Sequence, residues 1–221
     1  MKTVLVIAPH PDDETLGAGG YLHRLRAEGA QIHWVILTDA SVEYGWPAPF
    51  VENRQKEIRK VITSFGVAKL HNFALRPAGL DTYPRREIIE RLSSVFRDVA
   101  SQIIISPWKG DPHSDHKIAF ECAVAASKPF RLPSLRMLLA MEIPSETNFH
   151  SEDAFEPNYW VDISDYLEAK IDTLRVYASE MDEHPFPRSE QSIRALATLR
   201  GAQASVVAAE AFRVVRLIER S

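Results

Sequence analysis

A short, continuous apolar run at the start of the chain constrains its fold more than any other feature. Residues 4–8 (VLVIA) contain no polar side chain, and a turn with Pro9 and Pro11 follows at once. A helical segment comes next and ends near Gly29, a residue that commonly terminates helices. An apolar run followed by a turn and a helix is typical of a parallel strand that is buried on both faces. The opening therefore predicts an α/β protein.

The same alternation of strand and helix continues along the chain. Further strands are predicted at 33–37, 71–75, 103–106, 136–143 and 159–163. Apolar residues at helical spacing predict helices up to about residue 28, around 58–65, and at 84–101, 114–127, 167–178 and 189–211. This order favours an α/β fold with a mostly parallel sheet. Because no repeat or low-complexity linker divides the 221 residues, we expect a single domain over 1–221.

Charge and composition narrow the class of protein. The formal net charge of -4 gives no reason to expect a nucleic acid or an anionic membrane surface as a partner. No stretch approaches the length of a membrane span, and the opening run is too short for a signal peptide. The single cysteine, Cys122, excludes an internal disulfide, and its apolar neighbours predict a buried structural thiol. We expect a cytoplasmic protein without an integral membrane segment.

Two clusters of metal-type ligands follow two of the predicted strands. HPDDE at 10–14 comes directly after the first strand, and HSDH at 113–116 lies beyond the fourth. In an open parallel sheet, ligands bind in the crevice outside the carboxyl ends of the strands. Imidazole and carboxylate together suit zinc, which in catalytic sites has three protein ligands and one open position. The clusters hold more candidates than such a site needs, and a hydrolase can use the surplus as acid and base.

The two clusters also allow a purely structural role. Each could be an ordinary helix start, with an aspartate or a serine as the cap and Glu14 favoured near the helix N-terminus. The residues alone also do not choose between Asp12 and Asp13 as a metal ligand. The nearby glycines, GAGG at 17–20, do not match a dinucleotide-binding loop, and the carboxylates before them would repel phosphate. We interpret these glycines as permitting close packing of the first helix against the sheet.

The two clusters resemble the signatures of a known family. The run VLVIAPHPDDETLGAGG at 4–20 is similar to the opening signature of the LmbE/PIG-L family of zinc-dependent N-deacetylases, and HSDH is similar to its second signature, H-P-D-H. Weaker similarities continue in the same order as far as 209–212. The resemblance implies a Rossmann-like three-layer sandwich. It also implies a hydrolase that uses Zn²⁺ or another divalent metal to remove an N-acyl group, usually acetyl, from an amino sugar or sugar conjugate.

The resemblance also implies roles for individual residues. Three of them would bind the metal: His10, Asp13 and His116. Three would be catalytic: Asp12 as the general base, Asp115 as the group that orients a histidine, and His113, in its protonated form, as the group that stabilises the oxyanion or helps the amine leave. Substrate contact would fall to Arg54 and to Glu14, for which a helix-cap role fits equally well.

Several features do not yet have an assigned role. Aromatic residues in the predicted loops could stack on a sugar or pack the loops down: Tyr44, Trp46, Phe50 and Trp108. Relatives often assemble, and small apolar residues near 206–211 could face a second copy in a homo-oligomer or pack on the sheet of the same chain. Ser114 replaces the usual proline of the second signature, and Ala204-Ser205 stands where relatives often have a glycine.

Two rival functions remain. The first is a non-catalytic carbohydrate- or metabolite-binding protein of the same fold. It would be expected to have lost a ligand, and none is lost. The second is a metal-dependent phosphoesterase, which would normally need a richer set of bridging carboxylates for two metals.

Overall fold

The computed structural model describes residues 1–149 and 154–219. Within them, the strands are β1 (Thr3–Ala8), β2 (Gln31–Thr38), β3 (Val67–Leu75), β4 (Ile103–Pro107), β5 (Met137–Met141), β6 (Tyr159–Asp162) and β7 (Ala209–Leu217). The α-helices are α1 (Asp13–Ala27), α2 (Ala48–Phe65), α3 (Arg85–Asp98), α4 (Ser114–Ala126), α5 (Leu167–Leu174) and α6 (Glu190–Ala204). In this part of the chain, no helix is long and apolar enough to cross a membrane.

The strands form one sheet in the order β3-β2-β1-β4-β5-β7-β6. β1 pairs in parallel with both β2 and β4, and the parallel pairing extends to β3 and β5. β7 runs antiparallel to both β5 and β6. The predicted α/β fold with a mostly parallel sheet is confirmed. The chain runs outward from β1 to β3 and then returns to place β4 on the other side of β1, so a topological switch point lies between β1 and β4.

Side chains of β1 explain the layered architecture. Val4 and Val6 belong to one apolar core, together with residues of α1, α2, α5 and α6. Leu5 and Ile7 belong to a second core on the opposite face, together with residues of α3 and α4. Successive side chains of a strand point to opposite faces, so the continuous apolar run is buried on both sides. The predicted three-layer sandwich is confirmed.

Two smaller expectations about packing also hold. A Cβ atom added at Gly17 would lie 2.7 Å from the sulfur of Met141, and one at Gly20 would lie 2.8 Å from Ile163. These glycines therefore allow α1 to pack closely on the neighbouring elements. Cys122 is fully buried, and burial raises the pKa of its thiol to about 11, as suits a structural cysteine.

The predicted helix at 189–211 is wrong after residue 204. α6 ends at Ala204, and Ser205 adopts a left-handed conformation with φ 58° at its C-terminus. Residues 209–217 instead form β7, which inserts between β5 and β6. Alanine favours helices locally, but pairing on both edges of a strand and burial in the sheet outweigh that preference. Ala211 lies in the sheet, so these residues do not form the expected helical face. A homo-oligomer stays a prediction.

Candidate active site

Both ligand clusters lie at the switch point of the sheet. HPDDE at 10–14 connects β1 to α1, and HSDH at 113–116 follows β4 and starts α4. Because β1 and β4 are neighbouring parallel strands, their carboxyl ends bring the two clusters together. The ring centroids of His10 and His113 are 4.5 Å apart, and those of His10 and His116 are 5.6 Å apart.

The turn after β1 is strained at Asp12. The backbone of this residue has φ 145°, a value that residues other than glycine rarely adopt. Such conformations cost about 1–3 kcal/mol and cluster at functional sites. Its backbone N–H donates to Glu14 Oε2 at 3.1 Å. Glu14 Oε1 in turn accepts from the hydroxyl groups of Tyr177, at 3.0 Å, and Thr15, at 2.5 Å. Glu14 thus stabilises the strained turn from inside the protein.

Three residues form a group with the geometry of a metal site. Ligand atoms of His10, Asp13 and His116 all lie within 4.8 Å of one another. One oxygen of Asp13 is 3.4 Å from His10 Nδ1, and the other is 3.4 Å from His116 Nε2. The remaining ring nitrogens face carboxylates, with His10 Nε2 at 3.1 Å from Asp115 and His116 Nδ1 at 2.8 Å from Asp111. Proteins orient metal-binding histidines in this way, so the donor set fits a divalent metal such as zinc.

A second group, His10, His113 and Asp115, is also close enough to hold a metal. Its carboxylate is already engaged, because the two oxygens of Asp115 accept from the backbone N–H groups of Ala78, at 2.8 Å, and Leu80, at 3.0 Å. His113 Nδ1 accepts from the backbone N–H of Asp115 at 3.1 Å. These bonds favour Asp115 as the residue that orients His10, and they favour the first group as the metal site.

Both histidines of the first group, His10 and His116, have raised pKa values. Burial alone would lower the pKa of His10, but hydrogen bonds to Asp115 and Asp13 outweigh it and raise that pKa to about 9. Burial likewise opposes protonation of His116, but the charge of Asp13 and the hydrogen bond to Asp111 raise its pKa to about 10. A metal ion must displace these protons, so metal affinity is expected to fall as the pH falls.

His113 has a different protonation state. Burial and the neighbouring His10 lower its pKa to about 4. Its Nδ1 accepts a hydrogen bond and therefore carries a lone pair, which leaves the proton on Nε2. This neutral form differs from the protonated form that the family resemblance implies. A neutral imidazole can still donate one hydrogen bond to a developing oxyanion.

Asp12, the expected general base, lies beside the metal-type group. It lines the crevice and is 5% exposed. Burial and the adjacent Asp13 carboxylate raise the pKa of Asp12 well above its usual range. Arg188 opposes this shift, since its Nη1 lies 3.1 Å from Asp12 Oδ2. A carboxylate with a raised pKa is better matched to proton transfer near neutral pH than an ordinary aspartate.

The two residues expected to contact substrate are both buried. The guanidinium of Arg54 donates to the Pro11 carbonyl at 3.1 Å and to Ser179 at 3.4 Å, and it pairs with Glu180 and Glu57. Glu14 is fully buried and does not line the crevice. The Glu14 carboxylate instead contacts the turn inside the protein, and a substrate contact by Glu14 stays a prediction. Arg54 does line the crevice, but most of its donors are engaged within the protein.

The crevice has a volume of about 330 Å³. Beside the two clusters, it is lined by three residues that the sequence singled out, Trp46, Phe50 and Arg54, and by three that it did not, Glu146, Glu180 and Arg188. Asp111 lies behind it, fully buried, and accepts from Thr147 Oγ1 at 2.8 Å. Asp111 lies in a polar loop five residues before His116, and this proximity in the sequence could have indicated a carboxylate that contacts His116. Arg188 carries no local signal, because it meets Asp12 only in the folded chain.

Comparisons with known proteins identify the family of this α/β chain. A family model described as "PIG-L: GlcNAc-PI de-N-acetylase" matches residues 5–127. The chain belongs to the PIG-L family. The family that the sequence resembles is thus confirmed.

Individual relatives extend this result. A diacetylchitobiose deacetylase of Thermococcus kodakarensis is 28% identical over 230 residues, which cover 97% of this chain and 84% of the relative. The crystal structure of a conserved protein from Thermus thermophilus has a TM-score of 0.78 at 27% identity, covering 100% of this chain and 98% of that one. A 4-carboxy-2-hydroxymuconate hydratase of Pseudomonas putida has a TM-score of 0.77 at 21% identity, covering 100% of both chains. That likeness shows the fold alone.

Asp111 offers a direct test of the ligand arrangement. Asp111→Asn keeps the size of the side chain but removes the negative charge beside His116 Nδ1. We expect metal affinity to fall about 10- to 100-fold, as when other partners of metal-binding histidines are replaced. Competition with a chromophoric chelator measures this change. Asp172→Asn, at a largely exposed carboxylate, is the control, and unchanged affinity in Asp111→Asn would argue against His116 as a ligand.

Proposed function

We propose that this protein is a zinc-dependent hydrolase that removes an acetyl group from the nitrogen of an amino sugar or sugar conjugate. The observation that carries the proposal is the convergence of His10, Asp13 and His116 beside a separate carboxylate, Asp12, in one crevice. Membership of the PIG-L family and the deacetylase relative of Thermococcus kodakarensis support the reaction and the substrate class. Zinc is proposed because imidazole and carboxylate ligands suit it, although other divalent ions can occupy such a site.

The arrangement divides the chemistry among the residues of the crevice. A divalent metal held by His10, Asp13 and His116 would polarise the amide carbonyl and lower the pKa of the attacking water to about 7. Asp12 accepts a proton from that water and can return it to the leaving nitrogen. Neutral His113 donates from Nε2 to the developing oxyanion. The products are acetate and a free amine, and water is the only co-reactant.

Release of acetate tests the proposal. Metal-loaded protein is incubated with N-acetylglucosamine and N,N'-diacetylchitobiose, and acetate and new primary amine are measured separately. The proposal expects the two products in equal amounts and a large loss of both in Asp12→Asn. Hydrolysis of a phosphodiester without acetate release would point to a phosphoesterase. Sugar binding without any turnover would point to a non-catalytic binding protein.

The substrate-contacting cation is expected to be Arg188 rather than Arg54. Arg188 has a side chain that is 24% exposed, and its Nη1 reaches Asp12 at 3.1 Å and Glu180 at 3.4 Å. Its Nη2 has no hydrogen-bond partner among residues 1–149 and 154–219. The Arg54 side chain is only 6% exposed. A donor left free at the crevice suits a sugar hydroxyl or an acyl oxygen.

The two arginines should therefore respond differently to the same substitution. Arg188→Gln is expected to lower kcat/KM about 10- to 100-fold, the worth of a charged hydrogen bond, while the metal is retained. Arg54→Gln removes the cation beside the buried Glu57, whereas Glu180 keeps Arg188 at 3.4 Å. This variant is expected to destabilise the fold by about 3 kcal/mol, the lower end of the cost of breaking a buried ion pair. Steady-state kinetics and urea unfolding of both variants measure these effects. A reversed pattern, with Arg188 needed for stability and Arg54 for catalysis, would contradict the assignment.

A further inference from the structure

Two aromatic side chains in the crevice have no part in the chemistry described above. Trp46 and Phe50 line the same crevice as His10 and His116. Their rings stack, with centroids 4.7 Å apart and an interplanar angle of 20°. Trp46 nevertheless remains 38% exposed. A large apolar ring left open at a crevice often marks a binding surface.

Contacts within the protein place this aromatic pair next to the reacting groups. The ring of Phe50 lies 5.3 Å from the guanidinium carbon of Arg54. Arg54 in turn donates to the carbonyl of Pro11 at 3.1 Å, and Pro11 lies between His10 and Asp12 in the chain. The pair therefore lies one arginine side chain away from the ligand-bearing turn.

The segment that carries Trp46 is held in place by its own hydrogen bonds. Ser41 accepts three of these bonds. Its hydroxyl accepts from the backbone N–H of Tyr44 at 3.3 Å, and its carbonyl accepts from the backbone N–H groups of Tyr44 and Trp46, both at 3.1 Å. Gly45 adopts φ 91°, which glycine tolerates without strain. α2 begins at Ala48 directly afterwards. Trp46 is thus presented by a short ordered turn, so that little conformational entropy is lost when a ligand stacks on it.

The other aromatic residues of the loops do not share this position. Trp108 is buried, with 7% exposure, and packs against the rings of Phe120 and Phe155. Tyr44 does not line the crevice. Of the four aromatic residues that the sequence placed in loops, Trp46 and Phe50 are the two that line the crevice, and Phe50 lies in the first turn of α2 rather than in a loop.

We propose that Trp46, supported from behind by Phe50, forms a stacking subsite for a second sugar ring, so that the enzyme prefers an N-acetylated disaccharide to a monosaccharide. This inference rests on the proposed deacetylase function and names its substrate class. A pyranose has a face of C–H groups that can stack on the electron-rich face of an aromatic ring. Its hydroxyl edge needs donors and acceptors, and Glu146, Glu180 and Arg188 line the same crevice. An alkyl chain would have no use for these charged groups, so the combination favours a sugar.

Binding measured without turnover tests the subsite. In the Asp12→Asn background, calorimetry is used to compare N-acetylglucosamine with N,N'-diacetylchitobiose. Trp46→Ala is expected to weaken disaccharide binding roughly 3- to 10-fold, the worth of one good aromatic contact, and to change monosaccharide binding less than about twofold. Trp46→Phe should restore part of the loss. Phe130→Ala, at a side chain that is 76% exposed outside the crevice, is the matched control and should change neither affinity.

The outcomes separate this proposal from the function on which it rests. Wild-type protein that binds the disaccharide through Trp46 but releases no acetate would support the subsite and refute deacetylation. Wild-type protein that deacetylates both sugars with equal efficiency, unaffected by Trp46→Ala, would refute the subsite alone. If Trp46→Ala changed the mass seen by light scattering but no sugar affinity, Trp46 would belong to a protein interface and the subsite would be overturned.

Discussion

Asp12→Asn is expected to lower kcat by roughly 10²- to 10⁴-fold, the usual contribution of a positioned general base, while metal content stays close to that of the wild type. Asp12 is not one of the three residues whose ligand atoms converge, which are His10, Asp13 and His116. Asparagine is nearly the same size as aspartate, so the turn after β1 should persist. Arg188 keeps Glu180 as a partner at 3.4 Å. Initial rates of acetate release and metal analysis of the same samples measure both quantities.

The neighbouring Asp13 provides the internal comparison. Asp13 contacts both histidines of the metal group, at 3.4 Å in each case. Asp13→Asn replaces a carboxylate by a neutral amide, which is a poorer ligand, so this variant should lose metal as well as activity. Loss of metal from Asp12→Asn with retention by Asp13→Asn would reverse the two assignments. Full activity in both variants would place catalysis elsewhere.

Removal of the His116 imidazole is expected to abolish stoichiometric metal binding and activity together. His116 is 1% exposed, and its Nε2 lies 3.4 Å from Asp13. Within the part of the chain that the structure describes, no other side chain of HSDH forms an ion pair with Asp13. Loss of a catalytic metal removes several kcal/mol of transition-state stabilisation, which corresponds to roughly 10³-fold or more in rate. His116→Ala and the bulkier His116→Gln should behave alike, and circular dichroism shows whether each remains folded. His184→Ala, outside the crevice, is the matched control.

The number of bound ions and the pH dependence of binding test the same metal site. Anomalous diffraction from metal-replete crystals should place one ion per chain between His10, Asp13 and His116. Two equally occupied, bridged ions would favour a phosphoesterase instead. Because the pKa values of His10 and His116 are raised to about 9 and about 10, protons compete with the metal at neutral pH. Metal affinity should therefore increase as the pH rises toward 9, and a flat profile would contradict this coupling.

Local sequence patterns were sufficient for the features that depend on neighbouring residues. The run at 4–8 predicted a strand buried on both faces, and Leu5 and Val6 do belong to opposite cores. The glycines at 17–20 predicted close packing of the first helix, which the positions of Met141 and Ile163 confirm. Both ligand clusters were placed at strand ends because a turn and a helix start follow each one. Hydrophobic periodicity and turn-forming residues are local properties, and they predict the correct element wherever burial in the folded protein favours the same structure.

Patterns failed where local preference and tertiary pairing disagree. The alanine-rich segment before residue 212 predicted helix, yet Ala209 and Ala211 pair with β6 in the sheet. A short apolar segment cannot by itself be told apart as strand or helix. Its state depends on the free edges of β5 and β6, which are formed by residues far away in the chain. The oligomeric state likewise depends on contacts beyond neighbouring residues, and a homo-oligomer stays a prediction.

The sequence by itself determined the buried parallel strands and the two ligand clusters at the ends of β1 and β4, and its resemblance to a known family supplied the expected roles of those ligands. Only the tertiary structure decided what surrounds them. It placed Asp111 behind His116, buried Glu14 beneath the strained turn, and brought Arg188 to Asp12 across 176 positions of the chain. The physical reason is that hydrophobic period and turn residues specify which face of each element is buried. They do not specify which charged side chains from distant loops meet once the layers pack, because that depends on the geometry of the whole sheet.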